Sequence, residues 1–83
     1  NKYWLEKMKF KLSQLPIYVH DSRANFLLLD VGKNASKLNR FLLSKSIIVR
    51  TMEKYGLKSC IRVSIGKSRE NIKLLDVMDS FYK

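Results

Sequence analysis

The sequence predicts an α+β fold, a two-layer sandwich with helices on one face of a small, mostly antiparallel sheet of three or four strands. Apolar residues recur at helical spacing near both ends of the chain and once in its middle. Short apolar or alternating runs of strand length lie between these segments. The chain has 83 residues, 46% of them hydrophobic, which suits a single small domain over 1–83. The predicted order is helix, edge strand, strand, helix, strand, strand, helix.

The first helix is predicted over 2–15, and Pro16 ends it. A short edge strand follows over 17–19, and residues 20–23 form a polar turn. The segment 25–31 is apolar nearly throughout, which predicts a strand buried on both faces. The apolar stripe of the helix consists of Trp4, Met8, Leu12 and Leu15.

A turn at 32–34 leads to a second helix over 35–45, with Asn34 as its expected N-cap. The β-branched run 47–52 that follows is typical of a strand. If the strands before and after this helix are parallel, the chain makes a right-handed crossover between them. The side chains that this helix is expected to bury are Leu38, Phe41 and Leu42.

The last strand is predicted over 60–65, after a glycine-containing connection over 53–59. Side chains alternate along a strand, so its residues divide between two faces. Ile61, Val63 and Ile65 should face the core, whereas Arg62 and Ser64 should face away from it.

The final helix is expected to begin after Gly66, with Ser68 as its cap and Glu70 in its first turn. It should pack on the sheet through an apolar face. That face consists of Ile72, Leu75, Met78 and Tyr82, broadened by Leu74, Val77 and Phe81.

The formal net charge of +10 raises the question of a nucleic-acid partner, because a basic chain attracts phosphate backbones whatever its fold. The 17 lysines and arginines are scattered along the whole chain, and no RNA-recognition signature accompanies them. A solvated basic surface and no nucleic-acid partner are therefore expected. A small basic nucleic-acid-binding α+β module is the alternative function.

Several features bear on where the protein is located. No apolar run approaches twenty residues, so no membrane partner is expected, and the N-terminal lysines exclude a signal peptide. The single cysteine, Cys60, cannot form an internal disulfide and fits a reducing compartment. We therefore expect a cytoplasmic location. The chain begins at Asn1 rather than methionine, which suggests a fragment of a longer protein.

Arg62 is the strongest candidate for function, and Arg50 is a weaker one for which a solvated surface role is preferred; both lie in β-branched runs of one hairpin-like unit. A guanidinium stays charged, so neither can act as a general base. Each can instead donate two N–H groups to the oxygens of a carboxylate or phosphate. The alternative is a pair of solvated strand residues, with Arg62 paired to Glu53 or Asp30.

The rest of the chain offers little for catalysis. His20 lies beside Asp21 and Ser22, and three adjacent residues cannot align as nucleophile, base and orienting group. Cys60 begins an apolar strand, which is typical of a buried, inert thiol. One cysteine and one histidine provide no metal-ligand motif. No catalytic, cofactor-binding or metal-ligating residue is therefore assigned.

Three segments match the motifs of one enzyme family in order and spacing, from about Leu15 onwards. They are Ser22-Arg23-Ala24-Asn25-Phe26-Leu27-Leu28, then Ile47-Ile48-Val49-Arg50 before Tyr55-Gly56-Leu57, then Ile61-Arg62-Val63-Ser64-Ile65-Gly66, with Glu70-Asn71 opening the last helix. The chain thereby resembles the C-terminal small domain of histidinol-phosphate aminotransferases, within the fold-type-I pyridoxal-phosphate enzymes. Threonine-phosphate decarboxylases share much of the pattern and remain an alternative.

The resemblance implies that Arg62 binds the substrate carboxylate or phosphate and that Arg50 lies near the same subsite. Asn25 and Gly66 would be structural members of their motifs. The implied parent is a homodimer that uses pyridoxal 5'-phosphate in histidine biosynthesis. It moves an amino group between histidinol phosphate and 2-oxoglutarate, or between glutamate and imidazole acetol phosphate.

The chain departs from the family pattern at two places, and it also lacks a domain of the family. Ser46 replaces the usual glycine, and residues 67–69 read Lys-Ser-Arg, which adds positive charge. The large domain with the Schiff-base lysine is missing, so the chain alone is expected to bind no cofactor and to be inactive. A third hypothesis gives the chain a structural role: it would be a truncated relative of these enzymes that keeps the fold but only dimerises.

Overall fold

The computed structural model describes residues 2–20, 22 and 24–83 and has the predicted α+β architecture. Short 3-10 turns, at Gly32–Asn34 and Glu53–Tyr55, precede the second helix and the last strand. Of the helices described, none has the length and apolar character needed to cross a lipid bilayer. The elements are α1 Lys2–Leu12, β1 Tyr18–His20, β2 Phe26–Asp30, α2 Ala35–Ser44, β3 Arg50–Met52, β4 Leu57–Ser64 and α3 Ser68–Phe81.

The strands form one sheet in the order β1-β2-β4-β3, and each neighbouring pair is antiparallel. β1 is an edge strand, as predicted, and β4 is the longest strand. Because β2 and β3 both run antiparallel to β4, they are parallel to each other. The condition for a crossover through α2 is therefore met, with β4 inserted between the two strands.

The core lies between the helices and one face of the sheet, which we call the inner face. Leu27 and Leu29 of β2 and Ile61 and Val63 of β4 supply this face, and all four are buried. The predicted alternation is thus confirmed from Ile61 to Ser64, whereas Ile65 follows the end of β4 and is half-buried. The helices cover these side chains with Trp4, Met8, Leu12, Leu38, Leu42, Leu74 and Met78.

The first two helices differ in detail from the prediction. α1 ends at Leu12 rather than at residue 15, because Gln14 and Leu15 close tighter i to i−3 hydrogen bonds there. α2 begins after Asn34 as expected, but the Asn34 side chain makes no capping hydrogen bond. Phe41 is only half-buried.

The strand predictions were wrong at three places. β2 is fully buried on one face only, since Phe26, Leu28 and Asp30 are half-buried. β3 starts at Arg50 rather than at residue 47, after Ser46 adopts a left-handed φ of 63°. That conformation favours glycine, the residue usual in the family resembled. β4 begins at Leu57, because Gly56 turns the chain with a φ of 78°.

The buried face of α3 is also displaced from the predicted one. Ile72 is 51% exposed and Leu75 and Tyr82 are half-buried, whereas Asn71 is 1% exposed. The reason is a pair of hydrogen bonds from the Asn71 side chain to the backbone of Gly66. Its Oδ1 accepts the Gly66 N–H and its Nδ2 donates to the Gly66 carbonyl, each at 2.9 Å.

Lys67 rather than Ser68 occupies the N-cap position of α3, and its side chain makes no capping hydrogen bond. The Glu70 carboxylate accepts the Lys67 backbone N–H at 2.8 Å, which satisfies one donor of the first turn. The Ser68 hydroxyl instead accepts a hydrogen bond from Trp4 Nε1 at 3.0 Å. Ser68 therefore ties α3 to α1.

Candidate functional site

The face of the sheet opposite the helices, which we call the outer face, carries most of the candidate residues. Residues directly opposite each other in an antiparallel ladder share a face. The register pairs Leu28 with Arg62 and Asp30 with Cys60, and it pairs Arg50 with Arg62 on the other side of β4. The β1 register adds two more residues, Tyr18 opposite Asp30 and His20 opposite Leu28.

Arg62 lies at the centre of this outer face and is half-buried. Its guanidinium carbon is 4.2 Å from the centroid of the Phe26 ring. At that distance the ring attracts the cation. The position of the guanidinium is therefore favoured by β2 and β4, the two central strands.

The Nε atom of Arg62 is buried and has no hydrogen-bond partner. Within residues 2–20, 22 and 24–83, no ion pair joins Arg62 to the two acids considered from the sequence, Glu53 and Asp30. The Asp30 carboxylate instead accepts the Gly32 N–H at 3.1 Å. A buried donor without an acceptor costs about 1–3 kcal/mol, so this N–H is a site where an anion would be favoured.

Arg50 is exposed and stands directly opposite Arg62 in the β3–β4 ladder. Like charges at directly opposite positions destabilise a sheet. An anion between the two guanidinium groups would remove that repulsion. The register thus places the two arginines predicted from the sequence opposite each other, with Arg62 half-buried and Arg50 exposed on the edge strand.

The grooves lined by the described residues do not include the arginine pair. One surface groove lies between α1 and α3, and another runs along the segment before β3 and the start of α3. Neither is lined by Arg62 or Arg50. A small ligand held by this pair would therefore need a second wall from outside the described residues.

The lysines of this chain do not fit a covalently held pyridoxal phosphate. Eleven of the twelve are exposed and the twelfth, Lys9, is half-buried. A Schiff-base lysine needs a desolvated site that lowers its pKa and makes its amine reactive. No step of cofactor chemistry can be assigned to the lysines of this chain.

A cluster that was not predicted from the sequence lies beside the arginines. His20, Asp30 and Cys60 have their potential ligand atoms within 4.8 Å of one another. His20 was expected in a polar turn, but it is the last residue of β1. Asp21 and Arg23, which also figured in the sequence predictions, lie outside the described residues.

Curated proteins that are similar to this chain are much longer than it. A histidinol-phosphate aminotransferase of Paramagnetospirillum magneticum is 40% identical over 98% of this chain and 23% of its own length. One from Maricaulis maris is 30% identical over 100% of this chain and 24% of its own length. The chain therefore spans about a quarter of the curated relatives it matches. No protein-family model matches it.

Solved structures show the same relationship. The histidinol-phosphate aminotransferase from Clostridium acetobutylicum superposes with a TM-score of 0.90 and 26% identity, over 98% of this chain and 26% of that one. A decarboxylase from Sulfurospirillum multivorans superposes with a TM-score of 0.86 and 30% identity, over 98% of this chain and 25% of that one. The fold is therefore shared between aminotransferases and a decarboxylase.

Proposed function

The chain is a homologue of histidinol-phosphate aminotransferases that corresponds to about a quarter of their length, and we propose that it is the C-terminal small domain of such an enzyme. In this proposal, Arg62 binds the carboxylate or phosphate of the substrate. The parent moves an amino group between histidinol phosphate and 2-oxoglutarate in the cytoplasm. Pyridoxal phosphate supplies the electron sink and is held by the remaining three quarters of the parent.

The observation that carries this proposal is the buried, unpartnered Nε of Arg62. An arginine that served only folding would have its buried donors satisfied within the fold. A second arginine, Arg50, stands directly across the ladder from it. Both features are costs to the isolated chain that a bound anion would relieve.

The geometry suits a site that binds a different anion in each of two half-reactions. A guanidinium presents its donors in a rigid, planar fork that matches two oxygens of a carboxylate or of a phosphate. The Phe26 ring, 4.2 Å from the guanidinium carbon, would restrict the motion of this side chain before the ligand arrives and so lower the entropic cost of binding. The same group can thus hold glutamate in one half-reaction and histidinol phosphate in the other.

Arg50 has a lesser role in this proposal. Its side chain is exposed on the edge strand β3, so it adds charge and attraction without a fixed geometry. The half-buried apolar side chains beside Arg62, Phe26 and Leu28, would be covered by the parent's large domain. That domain would also supply the second wall of the anion site, and the parent would assemble as a homodimer.

A calorimetric titration of the full-length parent enzyme, loaded with its cofactor, with inorganic phosphate tests the anion site. We expect saturable binding that depends on Arg62. Arg62→Lys keeps the charge but removes the fork, and should weaken phosphate affinity by about 10–100-fold, the equivalent of one charged hydrogen bond. The matched control is Arg40→Lys on α2, which makes the same change at an exposed site and should leave affinity unchanged.

Equal affinity of the Arg62→Lys variant and the unaltered enzyme would contradict the proposal. So would an equal loss in both variants. Tight binding of a duplex oligonucleotide, with steep salt dependence and no effect of Arg62→Lys, would instead favour the nucleic-acid-binding module.

A further inference from the structure

One side chain from each of three neighbouring strands meets on the outer face. His20 comes from β1, Asp30 from β2 and Cys60 from β4, and their ligand atoms lie within 4.8 Å of one another. Asp30 and Cys60 are direct partners in the β2–β4 ladder. His20 lies two residues beyond Tyr18, the β1 partner of Asp30. The strand register, rather than a loop, therefore places the three groups together.

An imidazole nitrogen, a carboxylate oxygen and a thiolate sulfur form a set with a definite preference. Zinc takes these three ligand types in tetrahedral sites, often with three protein ligands and one open position. Calcium and magnesium require oxygen ligands and do not select a thiolate. We propose that His20, Asp30 and Cys60 bind one zinc ion, with a fourth position open to water or another small ligand.

Each of the three groups has a surrounding that bears on zinc binding. Cys60 is 4% exposed, so its sulfur is shielded from solvent. The Asp30 Oδ1 accepts the Gly32 N–H at 3.1 Å, which orients the carboxylate and leaves its other oxygen available. The His20 ring packs edge-to-face on Tyr18, with centroids 4.7 Å apart. Of these, the hydrogen bond to Asp30 is the kind of outer contact that orients a metal ligand.

Binding requires only a small closure of the cluster. Zinc lies about 2.0–2.3 Å from its ligands, so two ligand atoms of one tetrahedral ion are closer together than the 4.8 Å limit observed here. His20 and Asp30 are half-buried, and rotation of their side chains can supply the approach. Cys60 binds as the thiolate, and its proton passes to solvent.

The composition of the chain makes the experiment unusually specific. Cys60 is its single cysteine and His20 its single histidine. In the tag-free chain, a thiolate-to-cobalt charge-transfer band can therefore arise from Cys60 and from no other residue. We expect Co²⁺ to bind at one ion per chain with that band and with tetrahedral d–d absorption, and Zn²⁺ to displace it.

Three variants and one control complete the test. Cys60→Ser, His20→Gln and Asp30→Asn should each weaken Zn²⁺ affinity by more than about 10-fold, the least that loss of an outer-shell partner costs. Asp76→Asn, at an exposed position on α3, should leave the affinity unchanged. Circular dichroism checks the fold of each variant, and the two half-buried positions keep the test valid if Cys60→Ser unfolds.

Cobalt binding without the charge-transfer band would overturn the proposal. One ion per two chains would do the same, because it would mean a site between molecules. An equal loss of affinity in Asp76→Asn and Asp30→Asn would indicate non-specific binding to carboxylates.

Discussion

The two faces of one sheet differ sharply, although the same strands make both. On β2 the inner residues Leu27 and Leu29 are 0% exposed, whereas Phe26, Leu28 and Asp30 on the outer face are half-buried. On β4 the same alternation separates Ile61 from Arg62. The inner face is apolar and closed by helices, and it stabilises the fold. The outer face carries charged side chains such as Arg62 and Asp30 among half-buried apolar ones, so its residues can serve recognition.

The largest expected effect compares two adjacent leucines on β2. Leu29→Ala should lower the free energy of unfolding by about 2–5 kcal/mol, because it leaves a cavity in the core. Leu28→Ala makes the same chemical change on the outer face and should cost less than about 2 kcal/mol. Urea unfolding followed by circular dichroism measures both. Equal losses would mean that the two faces contribute equally to the stability of the isolated chain.

A second comparison concerns polar side chains within the helical layer. Asn71→Ala should lower the free energy of unfolding by about 1–3 kcal/mol, because it leaves both backbone groups of Gly66 without their partner. Asn39→Ala, at a half-buried position of α2, should change it by less than about 0.5 kcal/mol. The same urea titrations measure both variants. If the Asn71 variant matched the Asn39 variant, the bonds to Gly66 would have no net value.

The smallest effect appears only at alkaline pH. Burial raises the pKa of the Tyr82 hydroxyl above its usual 10.0, and that hydroxyl has no hydrogen-bond partner. The unfolded chain therefore loses this proton at lower pH than the folded chain does. Tyr82 contributes no pH dependence well below pH 10, and it destabilises the fold progressively as the pH rises through and above that value.

Tyr82→Phe should remove this part of the alkaline loss of stability. Thermal unfolding of both proteins between neutral pH and pH 11 measures it, with Tyr55→Phe, at an exposed position, as the control. If the two tyrosine variants followed the same pH profile, burial of Tyr82 would not be the cause.

The sequence was sufficient for the fold class because the strongest patterns reflect burial. The stripe of Trp4, Met8 and Leu12 and the alternation of Ile61 and Val63 are large apolar signals, and all five side chains are buried. The face of α3 could not be predicted in this way. A polar residue, Asn71, took the buried position because its amide satisfies the backbone of Gly66, and Ile72 was displaced towards solvent.

On the outer face, only those features that depend on a single strand could be predicted from the sequence. The placement of Arg62 away from the core followed from alternation within β4. The proximity of His20, Asp30 and Cys60 depends on the register of three strands, which the positions of these residues in the sequence do not reveal. The role of Arg62 in binding a substrate stays a prediction.

The strand order has a consequence for the order in which this protein can be assembled during synthesis. β4 lies between β2 and β3, yet it is the last of the four strands to leave the ribosome. Until then, two strand edges remain unpaired, and such edges promote aggregation of nascent chains. We therefore expect chains truncated before Leu57 to be captured by chaperones or degraded.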